Sequence, residues 1–407
     1  MSKTVLSPRR WIFAGACVLG VAAGFTACSD DPTLLNAIVA PGTLKTYSFL
    51  DTTVYADTGT SFRHFVPMNG LVNYVGLSGG YTAMAVIQFT PAYFPIRDTA
   101  QVYSATLRLK TVAWYGDSSG TLSFNVYQVK LAWSSTTLTW DTVHVSGFYD
   151  ASVVRGSYSA GAGPDTQWIS IALDTSMVRQ WLASYTAAGD TKYGVILVPN
   201  AGSTILRGFN QYSDDTSLTP TLDVIAGSVT GPARDTASYT STMDTFVGNI
   251  DNLVSDPGSM YVQSGVVYRT ALHFNVSFIP KASLISRAEL LLDQNTAASR
   301  LNRFSGTPSI AAHLMTSSTD TTAFDLLHPT VGTIKSGTTF DTDVRYLVQT
   351  WIKGTNYGVL VTTTSKNDYL SALDSEHSSF DLYVFAGHRA SVATSRPRIH
   401  VVYAVGN

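Results

Sequence analysis

The chain has 407 residues, which is enough length for two or three domains that each bury a core. Only 13% of the residues are charged, the formal net charge is −2, and no stripe of Lys and Arg or RNA-binding signature occurs, so nothing predicts a nucleic-acid partner. Glutamate occurs only at Glu289 and Glu376, and few Glu and Lys beside many Val, Thr and Tyr residues favour strands over helices.

Residues 1–27 have the pattern of a secretory signal peptide. Lys3, Arg9 and Arg10 form a basic region, the apolar run WIFAGACVLGVAAGF follows, and small residues precede a cleavage site. The alternative is a transmembrane anchor, which the short run disfavours because a spanning helix needs about 20 apolar residues. Removing this segment takes away three basic residues and no acidic one, which leaves a net charge of −5.

Cys28 has the sequence context of a lipidation site. The residues Phe25-Thr26-Ala27-Cys28 resemble a bacterial lipobox, in which the cysteine becomes the lipid-bearing first residue of the mature chain. Cys17 leaves with the signal peptide, so Cys28 is the single mature cysteine and has no partner for an intramolecular disulfide. Lipidation gives this cysteine a role, since each buried acyl methylene contributes about 0.8 kcal/mol of membrane affinity.

The lipidated cysteine and a polar tether are expected to occupy 28–45. Ser29-Asp30-Asp31 resembles the acidic export signal of Bacteroidetes-type surface lipoproteins. We therefore expect the protein to be attached to the bacterial outer membrane through Cys28 and to face the cell exterior.

Short strands with alternating polarity follow the tether. In the segment SATLRLK, Ala105, Leu107 and Leu109 share one face, and the intervening Thr, Arg and Lys side chains share the other. This period of two is typical of a half-buried strand. Many such short strands, separated by turn signals, predict a sandwich or a jelly roll.

The same ordered series of motifs occurs twice. MAVIQFTPAYFP is repeated as RTALHFNVSFIP, YSATLRLK as ISRAELLLD, and KYGVILVPN as NYGVLVTTT. The matched landmarks are Phe89 with Phe274, Leu107 with Leu290, Trp181 with Trp351, Tyr193 with Tyr357, and Pro220 with Pro397. Five landmarks in one order indicate an internal duplication of two large units. We expect domains at 46–227 and 236–405, joined by a linker within 226–238.

Each unit is expected to hold one short helix. DVRYLVQTWIKG has an apolar face at helical spacing, with Asp343 available as N-cap and Gly354 as terminator. In the first unit, Asp174 precedes the matching segment TSMVRQWL. The tryptophan of each helix, Trp181 or Trp351, is expected to cover the core. The predicted fold class is all-β, with two tandem jelly-roll-like β-sandwich domains.

The order of these motifs resembles the DNRLRE-type domain, a group related to family 96 of carbohydrate-binding modules. The resemblance covers nearly all of 46–227 and 236–405, and it includes the two-tryptophan segment with Trp133 and Trp140 in the first unit. The charged motif that names the family is missing from both units. The resemblance implies β-sandwiches, a non-catalytic role and polysaccharide binding.

Exposed aromatic rings are the usual means of binding sugars, because the C–H faces of pyranoses stack on them. Trp114 and Tyr115 end a strand and enter a Gly-Asp-Ser turn, and Trp168 shares a face with Ser170. These three aromatic residues are the glycan-binding candidates, and the alternative for each is an ordinary aromatic that covers a sheet edge. Trp133 and Trp140 are interpreted as packing residues.

The sequence contains no clear metal or catalytic signature. Asp51, Asp57, Asp214 and Asp215 lie in oxygen-rich segments that leave a structural calcium ion open, but solvated turn acids are the favoured interpretation. HExxH, GxSxG, a P-loop and zinc-type Cys/His spacings do not occur, so no cofactor and no enzyme activity are expected.

The favoured function is a non-catalytic surface lipoprotein that binds extracellular polysaccharide beside glycan-uptake or other surface proteins. The main alternative is a structural or adhesive surface protein whose sandwiches act as spacers. A polysaccharide lyase or hydrolase is the third hypothesis, since paired carboxylates cannot be judged by counting Asp residues.

Overall fold

The computed structural model of the protein describes residues 47–68, 70, 72–89, 101–116, 118–161, 163–164, 166–183, 193–211, 217–228, 231–250, 253, 256–301, 308–364 and 380–406. Phe49–Ala404 form one compact unit, and the few described residues at either end fall into another. Strand makes up 55% and helix 8% of the described residues, which confirms the predicted all-β class. Within this part of the chain, no helix has the length and apolarity needed to span a bilayer.

The described part of the first half, up to residue 227, contains ten strands and two helices. The strands are β1 (Tyr47–Arg63), β2 (Val72–Ser78), β3 (Tyr81–Gln88), β4 (Gln101–Gly116), β5 (Leu122–Gln128), β6 (Gly156–Ala160), β7 (Trp168–Ala172), β8 (Val195–Pro199), β9 (Ile205–Asn210) and β10 (Thr221–Gly227). The helices are α1 (Trp140–Val143) and α2 (Thr175–Ala183). The sequence predicted α2, whereas the short α1 was not expected.

The described part of the second half, from residue 234, repeats this order with one additional strand and without a counterpart of α1. The strands are β11 (Arg234–Thr240), β12 (Met243–Ile250), β13 (Ser259–Gln263), β14 (Tyr268–Phe274), β15 (Leu284–Asp293), β16 (Ser309–Leu314), β17 (Thr330–Ser336), β18 (Thr339–Asp343), β19 (Val359–Thr364), β20 (Leu382–Ala386) and β21 (Arg398–Gly406). The helix is α3 (Arg345–Lys353), and a 3₁₀ turn covers Ala393–Ser395.

The strands form two sheets. One has eleven strands in the order β11-β10-β4-β9-β2-β3-β8-β5-β6, with β12 beside β3 and β7 beside β4. The other has ten strands in the order β1-β21-β15-β18-β17-β16-β19-β14-β13-β20. Because β1 also pairs with β14, eight strands of this second sheet close into a ring. The expectation of two tandem sandwiches therefore holds only at the level of an all-β fold.

The N-terminal strands of the two halves are exchanged between the sheets. β1, the first strand that the structure describes, pairs with β14 and β21 of the second half, whereas β11 and β12 pair with β10 and β3 of the first half. The exchange is reciprocal in detail. The Ala56 N–H donates to the carbonyl of Pro397 at 2.9 Å, and the Ser241 N–H donates to the carbonyl of Pro220 at 2.8 Å. Each sheet therefore contains strands from both halves of the chain.

The repeated Tyr-Gly motif is explained by the backbone conformation of its glycine. Gly194 and Gly358 have φ angles of +86° and +98°, a conformation that side chains strongly disfavour. A Cβ atom on Gly194 would lie 2.0 Å from the carbonyl oxygen of Ile87, and one on Gly358 would lie 2.4 Å from that of Leu272. Both glycines therefore allow the chain to pass close to the neighbouring strand as it enters β8 or β19.

The helices follow the predicted apolar faces with a shift at one N-terminus. α3 buries the apolar face predicted from its sequence, which consists of Leu347, Val348, Trp351 and Ile352. Its N-cap is Val344 rather than Asp343, and the Asp343 carboxylate instead accepts the Arg345 N–H at 3.0 Å. Gly354 is the C-cap, as expected. Trp181 and Trp351 are 4% and 3% exposed, so each helix presents a buried tryptophan to the core.

One large apolar cluster includes residues from both halves. The ring of Phe380 lies 5.3 Å from that of Phe246, 5.5 Å from that of Tyr74 and 5.6 Å from that of Tyr81. The contacts with Tyr74 and Tyr81 are edge-to-face, an arrangement that stabilises a core beyond the area that it buries. The two sheets therefore share apolar packing as well as exchanged strands.

Candidate functional site

The three predicted glycan-binding aromatics have different environments. Tyr115 is buried with 7% of its surface exposed, and its ring meets that of Tyr81 edge-on at 5.2 Å. Burial also raises the pKa of the Tyr115 hydroxyl. The expectation that Tyr115 faces solvent is therefore corrected: the strand continues to Gly116, and alternation along it turns this ring inward.

Trp114 and Trp168 are both half-buried but lie on different surfaces. Trp114 packs against the main apolar cluster and stands opposite Arg207 of β9. Trp168 begins β7 and stands opposite Lys110 of β4, and its neighbours Ile169 and Ile171 point into the core. Trp168 is thus the predicted candidate that lies on an outer sheet face.

The face that holds Trp168 runs across four strands in the order β7, β4, β10 and β11. Alternation sends the apolar side chains of each strand inward and leaves polar ones outside. We call this surface the outer polar face, and it consists of Thr106, Arg108, Lys110, Trp168, Ser170, Thr221, Asp223, Ser238 and Thr240. Hydroxyl groups predominate on this face.

Two cations of β4 lie against the Trp168 ring. The Arg108 Cζ atom is 4.9 Å and the Lys110 Nζ atom is 5.7 Å from the ring centroid, both within the range of a cation–π contact. Asp223 is 3.6 Å from the Arg108 guanidinium and accepts a hydrogen bond from the Ser238 hydroxyl. With two cations and one carboxylate, this end of the outer polar face has a net positive charge.

A second aromatic–cation pair occurs on the same group of strands. The Arg234 guanidinium of β11 lies 4.1 Å from the ring centroid of Tyr103 on β4, and the Tyr103 hydroxyl donates to the Ser228 carbonyl at 3.1 Å. Sequence reasoning did not find Arg108, Lys110, Tyr103 or Arg234 as site residues. The alternation in SATLRLK already put Arg108 and Lys110 on the polar face, but only strand pairing shows that Trp168 lies beside them.

The tryptophans interpreted as packing residues do pack. Trp133 and Trp140 contact a small apolar cluster formed around Val86 and Ile196. The Trp133 indole N–H donates to the carbonyl of Tyr193 at 2.8 Å, so its polar edge is satisfied inside the fold.

The calcium candidates divide into those that the structure describes and those that it does not. The Asp57 carboxylate lies 2.8 Å from His273, and the Asp51 carboxylate lies 2.6 Å from His400. No group of three or more His, Cys, Asp or Glu side chains suitable for a metal ion occurs among the described residues. Asp214 and Asp215 lie outside the described residues, as does the lipidation candidate Cys28.

Comparison with known proteins adds little to this picture. No protein-family model matches the chain, and no curated protein matches it either. A solved structure of the Macrobrachium rosenbergii nodavirus aligns with 100% of this chain and 96% of the viral chain, at 7% identity and a TM-score of 0.16. A likeness this low carries no argument about fold or function.

Proposed function

We propose that the protein binds an extracellular polysaccharide through the outer polar face and has no catalytic role. The observation that supports this proposal is Trp168 on an outer sheet face, flanked by Arg108 and Lys110 and surrounded by hydroxyl side chains. A half-exposed indole offers a surface for sugar C–H groups, and the neighbouring hydroxyls offer hydrogen bonds to sugar hydroxyls.

The charge of this face favours acidic over neutral polysaccharides. Lys110 makes no ion pair among the described residues, and Arg108 shares its one carboxylate with a serine hydroxyl. A carboxylate or sulfate on a sugar unit would therefore find an available cation beside the indole. Binding that depends on these exposed charges weakens as salt is added, because the Debye length falls from about 10 Å at 0.1 M to about 3 Å at 1 M.

Native gels that contain acidic or neutral polysaccharides test the proposal. We expect residues 29–407 to be retarded by at least one acidic polysaccharide and Trp168→Ala to lose roughly tenfold in affinity, about 1.4 kcal/mol. Tyr346→Ala is the matched control, since Tyr346 is an exposed aromatic on α3. Trp114→Ala tests the other remaining candidate in the same gels. Absence of retardation by every polysaccharide would refute the function and favour a spacer or adhesive role, and release of shortened chains would favour a lyase or hydrolase.

We further propose the domain arrangement and the cellular location that the sequence predicts. These are two tandem sandwich modules within 46–227 and 236–405, attached through a lipidated Cys28 to the outer membrane and facing the exterior. Two modules on one tether would add avidity if both contact the same polysaccharide chain. Cell fractionation of the Cys28→Ser variant tests the anchor, because loss of the lipid should release the protein from membranes. Protease treatment of intact cells tests the exposure of the protein.

A further inference from the structure

Each half of the chain donates its N-terminal strands to the sheet of the other half. The two halves are therefore arranged like the two chains of a strand-swapped dimer. Ser61 of β1 stands opposite Thr270 of β14, and Phe246 of β12 stands opposite Ala85 of β3. Within each pair of equivalents, Ser61 with Phe246 and Ala85 with Thr270, the residues are 185 positions apart. Each half therefore accepts, at the same register, the strand that belongs to the other half.

We propose that the β1 strand also exchanges between copies of this chain, so that β1 of one copy occupies the gap between β14 and β21 of a second copy. The strand that fills this gap is specifically β1 of another copy, because every copy has the same acceptor strands and offers β1 the same register and the same polar contacts. The result is a pair of copies joined by their N-terminal strands. This inference does not depend on the proposed polysaccharide binding.

The small contribution of β1 to the core makes its departure inexpensive. Only Val54 and Ala56 of its side chains are buried, at 8% and 7% exposure, whereas Phe49 and Leu50 are 68% and 46% exposed. β12, which is equivalent to the C-terminal part of β1, buries five of its seven side chains.

Polar contacts hold β1 in place, and these contacts are the same in either arrangement. The Ser61 hydroxyl lies 2.8 Å from the Thr270 hydroxyl and accepts the Tyr261 N–H at 2.9 Å. Asp57 lies 2.8 Å from His273. Because a second copy supplies the same partners, the number of these contacts does not change when β1 is exchanged. For this reason strand swapping is a low-cost route to dimers.

The vacated gap favours refilling by a strand. Departure of β1 leaves unpaired backbone groups on β14 and β21, and such edges pair readily with another strand. The hinge lies between Arg63 and Met68, since Met68 is 1% exposed and its carbonyl accepts a hydrogen bond from the Thr245 hydroxyl at 2.5 Å. Exchange therefore requires a change of direction over this short connection and leaves the remainder of the fold in place.

Cross-linking between two single-cysteine chains tests the exchange. Both full chains carry Cys17→Ser and Cys28→Ser, one carries Ser61→Cys and the other Thr270→Cys, and the two are mixed under mild oxidation. Directly opposed strand residues have the Cα separation that a disulfide requires. Thr270 is fully buried on the strand beside β1, so a thiol there meets the thiol at position 61 of another copy only when that copy supplies the strand. We expect a disulfide-linked heterodimer on a non-reducing gel.

The controls make each outcome decisive. Ser61→Cys mixed with Ser336→Cys, an exposed position on β17, measures linkage by random collision. One chain with both Ser61→Cys and Thr270→Cys should form a disulfide, internal where β1 stays in its own copy and intermolecular where β1 is exchanged, which checks the register. The proposal is overturned if heterodimers do not exceed the collision control, or if the double variant forms neither an internal nor an intermolecular disulfide. Thr60→Cys with Ala271→Cys, which are also opposed, repeats the test if either first variant fails to fold.

Discussion

Replacing Gly358 by alanine should destabilise the protein much more than the same replacement at Gly147. Both glycines have positive φ angles, +98° and +82°, so both substitutions incur the cost of about 1–2 kcal/mol for a left-handed conformation. A Cβ atom at Gly358 would in addition lie 2.4 Å from the Leu272 carbonyl oxygen, whereas nothing lies within 4 Å of one at Gly147. Forcing these atoms apart adds about 1–3 kcal/mol, as in overpacked cores.

The free energy of unfolding should therefore fall by about 2–5 kcal/mol in Gly358→Ala and by about 1–2 kcal/mol in Gly147→Ala. Urea unfolding of residues 29–407, followed by both tryptophan fluorescence and far-ultraviolet circular dichroism, measures the difference. Coincidence of the two signals checks that one transition is observed. Gly194→Ala should behave like Gly358→Ala, since its Cβ atom would lie 2.0 Å from a carbonyl oxygen. Equal losses in Gly358→Ala and Gly147→Ala would refute the close-approach explanation of the Tyr-Gly repeat.

Three further substitutions test individual parts of the fold. Burial lowers the pKa of His313 to about 4, so below about pH 6.5 the unfolded chain binds a proton that the folded chain does not. The free energy of unfolding should therefore fall by about 3 kcal/mol between pH 6.5 and pH 4. His313→Gln should show a smaller decrease in the urea midpoint over the same pH range. Asp174→Ala should lose about 1–2 kcal/mol because the carboxylate accepts the Ser176 N–H at 2.8 Å at the start of α2, and an unchanged melting temperature would contradict this. Trp133→Phe should lose about 1 kcal/mol by leaving the Tyr193 carbonyl unpaired, measurable by the same urea unfolding.

Local patterns predicted the elements that depend on local forces. The alternation of Leu107 and Leu109 with polar neighbours predicted β4, and the apolar face around Trp351 predicted α3, because backbone periodicity alone determines which side chains share a face. The repeated Tyr-Gly motif correctly marked an equivalent place in both halves. Its cause, the approach of Gly358 to a neighbouring carbonyl, requires knowledge of which strand lies beside it.

Partners across strands could not be read from the sequence. The alternation in β1 is equally compatible with either sheet, so it does not indicate that Ser61 pairs with Thr270 more than two hundred positions away. The same limitation applies to the candidate site. Trp168 was found as an aromatic on a polar face, but the cations at Arg108 and Lys110 come from another strand, and the burial of Tyr115 follows from the continuation of β4.

Titration calorimetry with a polysaccharide that retards the chain in native gels tests the central claim most directly. The account predicts that Trp168→Ala weakens binding roughly tenfold while Tyr346→Ala binds as the parent chain does. It also predicts that added salt weakens binding of an acidic polysaccharide to the parent chain. Unchanged affinity in Trp168→Ala, with both variants folded, would contradict the assignment of polysaccharide binding to the outer polar face.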